Sequence, residues 1–127
     1  MINTRVMIVD DDKEFLDELN ETLALSGYDM VPVNDADMAL DTAAKAKPDV
    51  ILLDLKMPKK SGFQLADEIK HLTDFGSIPI IAMTAYFKDD YGPLMNICGI
   101  KRCLKKPFNP LDIIVEIEEA LKNKGAS

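Results

Sequence analysis

Acidic residues follow two apolar segments of this sequence, at the point where each segment ends. Residues 10–12 are all aspartate and follow the apolar residues 6–9, and Asp54 follows the apolar residues 50–53. Short runs rich in Val, Ile and Leu are typical of parallel strands that are buried on both faces. If the two strands are neighbours, three or four carboxylates converge, and like charges that close need a cation between them. The pattern therefore predicts a divalent metal site.

Length and charge limit the class of protein. A chain of 127 residues is expected to form one domain with a sizeable core. The formal net charge of −7 argues against direct binding to nucleic acid or to an anionic membrane, since both need a basic surface. The sequence has no run of about 18 apolar residues and no signal-peptide pattern at its start. We therefore expect a cytoplasmic protein with no membrane partner.

Strand-like and helix-like segments alternate along the chain. Pro32 indicates that the second strand lies at an edge of the sheet, because proline cannot donate a ladder hydrogen bond. Asn34 is predicted to cap the second helix, and Pro93 to be the first residue of a short fourth helix. The predicted strands are 6–9, 29–33, 49–54, 78–83 and 101–105, and the predicted helices are about 12–26, 35–46, 63–72, 93–97 and from 110 onward.

This alternation predicts an α/β fold, a doubly wound five-stranded parallel sheet with helices on both faces. The strand order 2-1-3-4-5 of flavodoxin-like folds fits five strands. In that order the first and third strands are adjacent, and ligands bind at their carboxyl ends, so Asp10, Asp11 and Asp54 fall in one crevice. We expect the domain to span residues 1–123, with residues 124–127 as a polar tail or linker remnant.

Four short motifs lie at the ends of the predicted strands: Val9-Asp10-Asp11, Leu53 to Pro58 with Ser61-Gly62, Met83-Thr84-Ala85, and Lys106-Pro107-Phe108. Together they resemble the CheY-like receiver domain of two-component response regulators. The resemblance covers essentially the whole chain, and it implies a signalling domain that takes a phosphoryl group from the phosphohistidine of a histidine kinase or phosphotransfer protein. It further implies control of an effector domain or a downstream protein, with phosphorylation-dependent homodimers as one form of output.

The resemblance implies a metal-binding role for four of these residues. Asp11 and Asp54 ligate Mg²⁺, or Mn²⁺ in its place, and Asp10 holds a metal-bound water. The backbone carbonyl of Lys56 completes the contribution of the protein. Hard oxygen ligands of this kind are the ones that Mg²⁺ prefers.

The resemblance also implies which residues handle the phosphoryl group. Asp54 is the phosphoacceptor, and Thr84 and Lys106 contact phosphoryl oxygens. Pro107 resembles the proline of the family that follows a cis peptide bond and directs Lys106 into the site. Since two anions must approach each other, the chemistry needs positioning and charge neutralisation, which these residues supply.

Two positions depart from the pattern of the family. Receiver domains usually carry Tyr or Phe three residues before the lysine, and this chain has Cys103. In the family that aromatic residue commonly swings inward when the threonine moves to the phosphoryl group. Gly92 and Pro93 fall in the fourth helix, on a face that many receivers use for dimerisation or signalling. We therefore expect the output of this domain to differ from the common one.

Two other functions compete with phosphoacceptance. Asp10-x-Asp12 after a strand resembles the nucleophile motif of haloacid-dehalogenase-like phosphatases, but Glu14 stands where a small Thr or Val is expected and Asp54 has no role there. The other alternative is a degenerate receiver that acts as an interaction module without phosphorylation. The complete acidic set, together with Thr84 and Lys106, argues against it.

Overall fold

The structure, a computed structural model, describes residues 3–72 and 78–123. Within these residues, strands and helices alternate in the predicted order. The expected polar tail at 124–127 lies outside the described residues. The strands are β1 (Arg5–Val9), β2 (Asp29–Val33), β3 (Val50–Asp54), β4 (Ile80–Thr84) and β5 (Arg102–Lys105), and the helices are α1 (Lys13–Leu25), α2 (Ala36–Ala46), α3 (Gly62–Lys70), α4 (Tyr91–Ile97) and α5 (Pro110–Asn123).

The five strands form one parallel sheet in the order β2-β1-β3-β4-β5, which confirms the predicted fold class. The register pairs Val9 of β1 with Leu53 of β3, so the residues after these two strands lie side by side. β2, with Pro32, is an outer strand, as predicted.

Each face of the sheet has its own core. Alternate residues of a strand point to opposite faces, and β1 shows this directly. Met7 and Val9 belong to the core that includes buried residues of α2, α3 and α4, whereas Val6 and Ile8 belong to the core that includes buried residues of α1 and α5. All four are fully buried. Since helices cover both faces, the central strands are apolar throughout, which is why they stand out in the sequence.

Helix starts show where the sequence-based predictions were wrong. The cap of α2 is Asp35, whose side chain accepts a hydrogen bond from the amide of Asp37 at 2.9 Å, and not Asn34. α4 begins at Tyr91, so Pro93 is its third residue and not its first. The amides of the first turn have no partner within a helix, so proline fits there without loss of a hydrogen bond.

The ends of several elements differ from the predictions by one or two residues. β4 begins at Ile80, after Pro79, and extends to Thr84. α5 begins at Pro110, where Asn109 Oδ1 accepts a hydrogen bond from the amide of Leu111 at 3.0 Å, as predicted for a cap. None of the helices formed by residues 3–72 and 78–123 combines the length and apolar character of a membrane-spanning segment.

Candidate functional site

Three carboxylates meet at the carboxyl ends of β1 and β3. Asp10, Asp11 and Asp54 each place one oxygen within 4.8 Å of the other two. Asp10 and Asp54 are buried, and Asp11 is exposed. The predicted convergence of these residues is therefore present, and it follows from the adjacency of β1 and β3.

Asp12, the fourth acid of the two segments, serves the helix instead. Its side chain accepts a hydrogen bond from the amide of Phe15 at 3.2 Å and caps α1. Residues of this type at a helix start typically contribute about 1 kcal/mol of stability. Asp12 therefore has a structural role and is not part of the carboxylate cluster formed by Asp10, Asp11 and Asp54.

Asp10 is held by three polar contacts. Its amide donates to the carbonyl of Val33 at 3.1 Å, and its Oδ1 accepts from the amide of Asp12 at 2.9 Å. Its Oδ2 lies 2.5 Å from Nζ of Lys106. Because the side chain of Asp10 is fully buried, an unpaired charge there would be strongly unfavourable, and the ammonium of Lys106 compensates it.

Asp54 lies in a less compensated environment. Burial, followed by the nearby charge of Asp10, raises the pKa of Asp54 to about 7. Lys106 opposes this rise from 3.9 Å, as does the amide of Lys56, which donates to Asp54 Oδ1 at 3.3 Å. Without a cation, therefore, the site holds this carboxyl partly protonated near neutral pH.

Lys106 reaches the site from the end of β5. Its amide donates to the carbonyl of Thr84 at 2.7 Å, and the Lys106–Pro107 peptide bond is cis, as the resemblance implied. Its side chain is only 17% exposed. The ammonium also lies 4.1 Å from the centroid of the Phe15 ring. The contact joins α1 to the loop after β5, so the sequence pattern, which places residue 15 only in the predicted first helix, does not reveal it.

Thr84 ends β4 and is buried, but its hydroxyl is engaged with the loop that follows. Oγ1 donates to the carbonyl of Tyr86 at 3.1 Å and accepts from its amide at 3.2 Å. Lys56 is exposed two residues after Asp54. The roles implied for the Thr84 hydroxyl and the Lys56 carbonyl remain predictions.

The loop between β3 and α3 contacts other parts of the chain at two places. The amide of Gly62 donates to the carbonyl of Leu55 at 3.0 Å. Nζ of Lys59 lies 3.4 Å from Asp35 and 3.3 Å from Asp37, at the start of α2. Lys59 is exposed, so these ion pairs are worth little energetically.

The donor set fits a hard divalent cation. Three carboxylates within reach of one another, two of them buried, provide the oxygen ligands and negative charge that Mg²⁺ or Mn²⁺ requires. The ammonium of Lys106 balances only part of this charge. An anion would approach these carboxylates only together with a cation, because the cation neutralises the charge of both.

Comparison with known proteins decides the family. A family model described as the response regulator receiver domain matches residues 6–118. The chain belongs to this family. Receiver domains operate in two-component phosphorelay signalling, and this one has their regulatory fold. The haloacid-dehalogenase-like alternative was wrong, in agreement with the position of Asp12 as a helix cap.

Two transcriptional regulators are among its relatives. The phosphate regulon regulatory protein PhoB of Pseudomonas aeruginosa is 29% identical over 125 residues, which cover 98% of this chain and 55% of PhoB. CpxR of Escherichia coli K12 is 32% identical over 118 residues, which cover 93% of this chain and 49% of CpxR. The chain thus spans about half the length of these two relatives.

Solved receiver structures superpose closely on this one. Chemotaxis protein CheY4 of Vibrio cholerae has a TM-score of 0.91 at 28% identity and covers 94% of this chain and 100% of CheY4. A CheY-like receiver domain protein of Methanospirillum hungatei has a TM-score of 0.91 at 26% identity and covers 98% of both chains. These receiver structures agree with the fold described above.

Proposed function

We propose that this receiver domain accepts a phosphoryl group on Asp54 from the phosphohistidine of a histidine kinase or phosphotransfer protein. The observation that carries the proposal is the convergence of Asp10, Asp11 and Asp54 with the ammonium of Lys106. A degenerate receiver would have no reason to keep this complete set of charges around a buried carboxylate. The family membership supports the same reaction class.

The reaction moves one phosphoryl group between two side chains. A carboxylate oxygen of Asp54 forms a bond to phosphorus, the bond between phosphorus and the imidazole nitrogen breaks, and its electron pair stays on that nitrogen. Both partners are anionic, so the protein contributes mainly position and charge. Lys106, with its ammonium 3.9 Å from Asp54, would pair with a phosphoryl oxygen. The Thr84 hydroxyl would give up its hydrogen bond to the Tyr86 carbonyl and donate to a second phosphoryl oxygen.

Asp10, Asp11 and Asp54, with the carbonyl of Lys56, would hold Mg²⁺ or Mn²⁺ in this reaction. The cation would supply neutralisation of the approaching charges and would favour the ionised form of Asp54. In the chain itself, Lys106 already neutralises Asp10, so Asp11 and Asp54 carry the unbalanced charge. A cation held there would reduce the repulsion between these carboxylates and the approaching phosphodonor.

We infer that the phosphorylated domain controls an effector. PhoB and CpxR are named transcriptional regulatory proteins, and about half of each lies outside the matched region. In this protein, the signal from residues 1–123 would pass either to an effector domain, as the relatives' lengths suggest, or to a separate downstream protein in the cytoplasm. Apolar side chains exposed on α4 and α5 support a protein partner or a phosphorylation-dependent second copy: Leu94, Ile97, Leu111 and Val115.

Incubation with a small phosphodonor and Mg²⁺ tests the proposal. Mass spectrometry should show one added phosphoryl group on the native protein and none on Asp54→Asn, which keeps the shape but loses the anionic nucleophile. A metal chelator should abolish the gain in the native protein. Asp41 is an exposed acid of α2 outside the carboxylate cluster, so Asp41→Asn is the matched control and should react normally. Gain by Asp54→Asn at the native rate would disprove the assignment, and no gain by the native protein would support the degenerate receiver.

A further inference from the structure

Among the residues that the structure describes, the Lys106 ammonium contacts two carboxylates and one aromatic ring. It lies 2.5 Å from Asp10, 3.9 Å from Asp54 and 4.1 Å from the centroid of the Phe15 ring. A lysine has a flexible stem of four carbons, and attraction to a group of carboxylates does not by itself select one position. The ring adds a third contact, and its own position is set by parts of the fold other than Asp10 and Asp54.

The position of Phe15 is set from two directions. Its amide donates to Asp12, the cap of α1, which fixes its backbone in the first turn of the helix. Its ring meets the ring of Phe108 edge to face, with centroids 5.8 Å apart and planes at 89°. Phe108 lies two residues after Lys106, so the same loop supplies both the lysine and the support of the ring.

We propose that Phe15 is a positioning residue that holds the Lys106 ammonium at the phosphoacceptor site through its ring face. A cation within about 6 Å of an aromatic centroid is attracted by the ring quadrupole, and the attraction is greatest where water is excluded. The 17% exposure of the lysine side chain meets that condition. Ring and carboxylates therefore hold the ammonium where it neutralises Asp10 and still reaches Asp54.

This inference rests on the proposed function only for its effect on rate, since the position of the ammonium is measurable without any phosphoryl group. In the native protein, the ring current of Phe15 should shift the ε-CH₂ proton resonances of Lys106 upfield. Phe15→Leu, which keeps an apolar side chain, should lose this shift, and Phe15→Tyr should keep it. The matched control is Phe87→Leu, which removes the ring beside Lys105, 5.8 Å away at the surface, and should leave Lys106 unaffected.

The rate of phosphoryl gain from a small phosphodonor at saturating Mg²⁺ provides the second measurement. Phe15→Leu should react about fivefold more slowly, the factor that ~1 kcal/mol of cation–π attraction produces. Phe15→Tyr should react within about twofold of the native rate because its ring face is retained. Equal slowing of the two folded variants would overturn the proposal. An unshifted Lys106 resonance in the native protein would also overturn it. Absence of phosphorylation in a native protein with a shifted Lys106 would instead count against the function of Asp54.

Discussion

The backbone of Gly62 lies against the carbonyl of Asp54 so closely that a Cβ atom on Gly62 would overlap that oxygen. The Cα of Leu55 would be only 2.7 Å from the same Cβ. Both neighbours are backbone atoms of the segment that carries the candidate phosphoacceptor, and neither moves without moving Asp54. The start of α3 and the end of β3 are therefore packed backbone to backbone, and only glycine permits it.

Gly62→Ala should therefore destabilise the domain by about 1–3 kcal/mol, as for other overpacked sites. It should also displace Asp54 and slow its phosphorylation. The free energy of unfolding in urea measures the first effect. Gly92→Ala is the control, because a Cβ at Gly92 meets nothing within 4 Å and alanine should stabilise the protein by about 0.4–1 kcal/mol. Equal effects of the two substitutions would contradict the close packing at Gly62.

The crowding of acids predicts that Asp11→Asn stabilises the metal-free protein. Asp11 adds a third carboxylate beside Asp10 and Asp54, and within residues 3–72 and 78–123 the one cation paired with them is Lys106. We expect a rise in Tm of about 2–4 °C, which corresponds to ~1 kcal/mol in a domain of this size. The affinity for Mg²⁺ should fall at least about tenfold, since even the loss of an outer partner of a metal site costs that much.

Melting curves with and without Mg²⁺ measure both effects of Asp11→Asn. In the native protein, Mg²⁺ binds the folded state and should raise the Tm with concentration. Asp41→Asn, which lies outside the carboxylate cluster, should respond to Mg²⁺ as the native protein does. A lower metal-free Tm in Asp11→Asn would show that Asp11 stabilises the fold instead of straining it.

The stability of the metal-free protein should depend on pH through Asp54. The folded pKa of Asp54, about 7, lies above the value of about 4 for an unfolded aspartate. Between these values the folded state binds more protons than the unfolded state, so stability should fall as pH rises from about 4 to about 7 and then level off. The difference in unfolding free energy between the native protein and Asp54→Asn isolates this dependence. A difference that stays constant, or grows in favour of the native protein over this range, would contradict the raised pKa.

Cys103 predicts where phosphorylation changes the surface. A half-buried cysteine on β5 is too small to fill the space behind a displaced Thr84 as a ring would. The Thr84 hydroxyl is bonded to Tyr86, and the Tyr91 ring packs 5.8 Å from Phe87 and 5.1 Å from Phe63 between ring centroids. We therefore expect changes to travel through the loop after Thr84 into α4.

Amide chemical-shift mapping with and without a phosphoryl mimic measures this route. In the native chain the shifts should concentrate at residues 85–97, and in Cys103→Tyr they should spread to residues 101–105. Large shifts centred on 101–105 in the native chain would show that cysteine relays the change. The two patterns are distinguishable because β5 and α4 contribute separate resonances.

The central strands and the carboxylate cluster were predictable from the sequence for one physical reason. Strands covered on both faces must be apolar throughout, so β1 and β3 stand out as unbroken runs. Once the strand order is known, adjacency of their ends places Asp10, Asp11 and Asp54 together. The convergence needs no knowledge of side-chain packing, which is why the pattern was sufficient.

The choice of helix caps was not predictable in the same way. Asn34 and Asp35 are both good capping residues, and the selection depends on where the chain turns after β2. Pro93 fits any position of the first turn, so its presence does not fix the start of α4. The contact between Phe15 and Lys106 joins α1 to the loop after β5, and only the packing of these distant segments reveals it.

Pro32 has a consequence for how the domain behaves in a crowded solution. The amide of Asp29 donates to Thr4, and the carbonyl of Val33 accepts from Asp10, so these residues of β2 turn their backbone groups inward. In a parallel strand, the backbone N–H and C=O groups of successive residues point alternately to its two edges, so the backbone of Pro32 faces the open edge of the sheet beyond β2. A strand from another molecule would find no N–H donor there. The outer edge is thus a poor template for intermolecular pairing, which protects an apolar sheet from edge-to-edge aggregation.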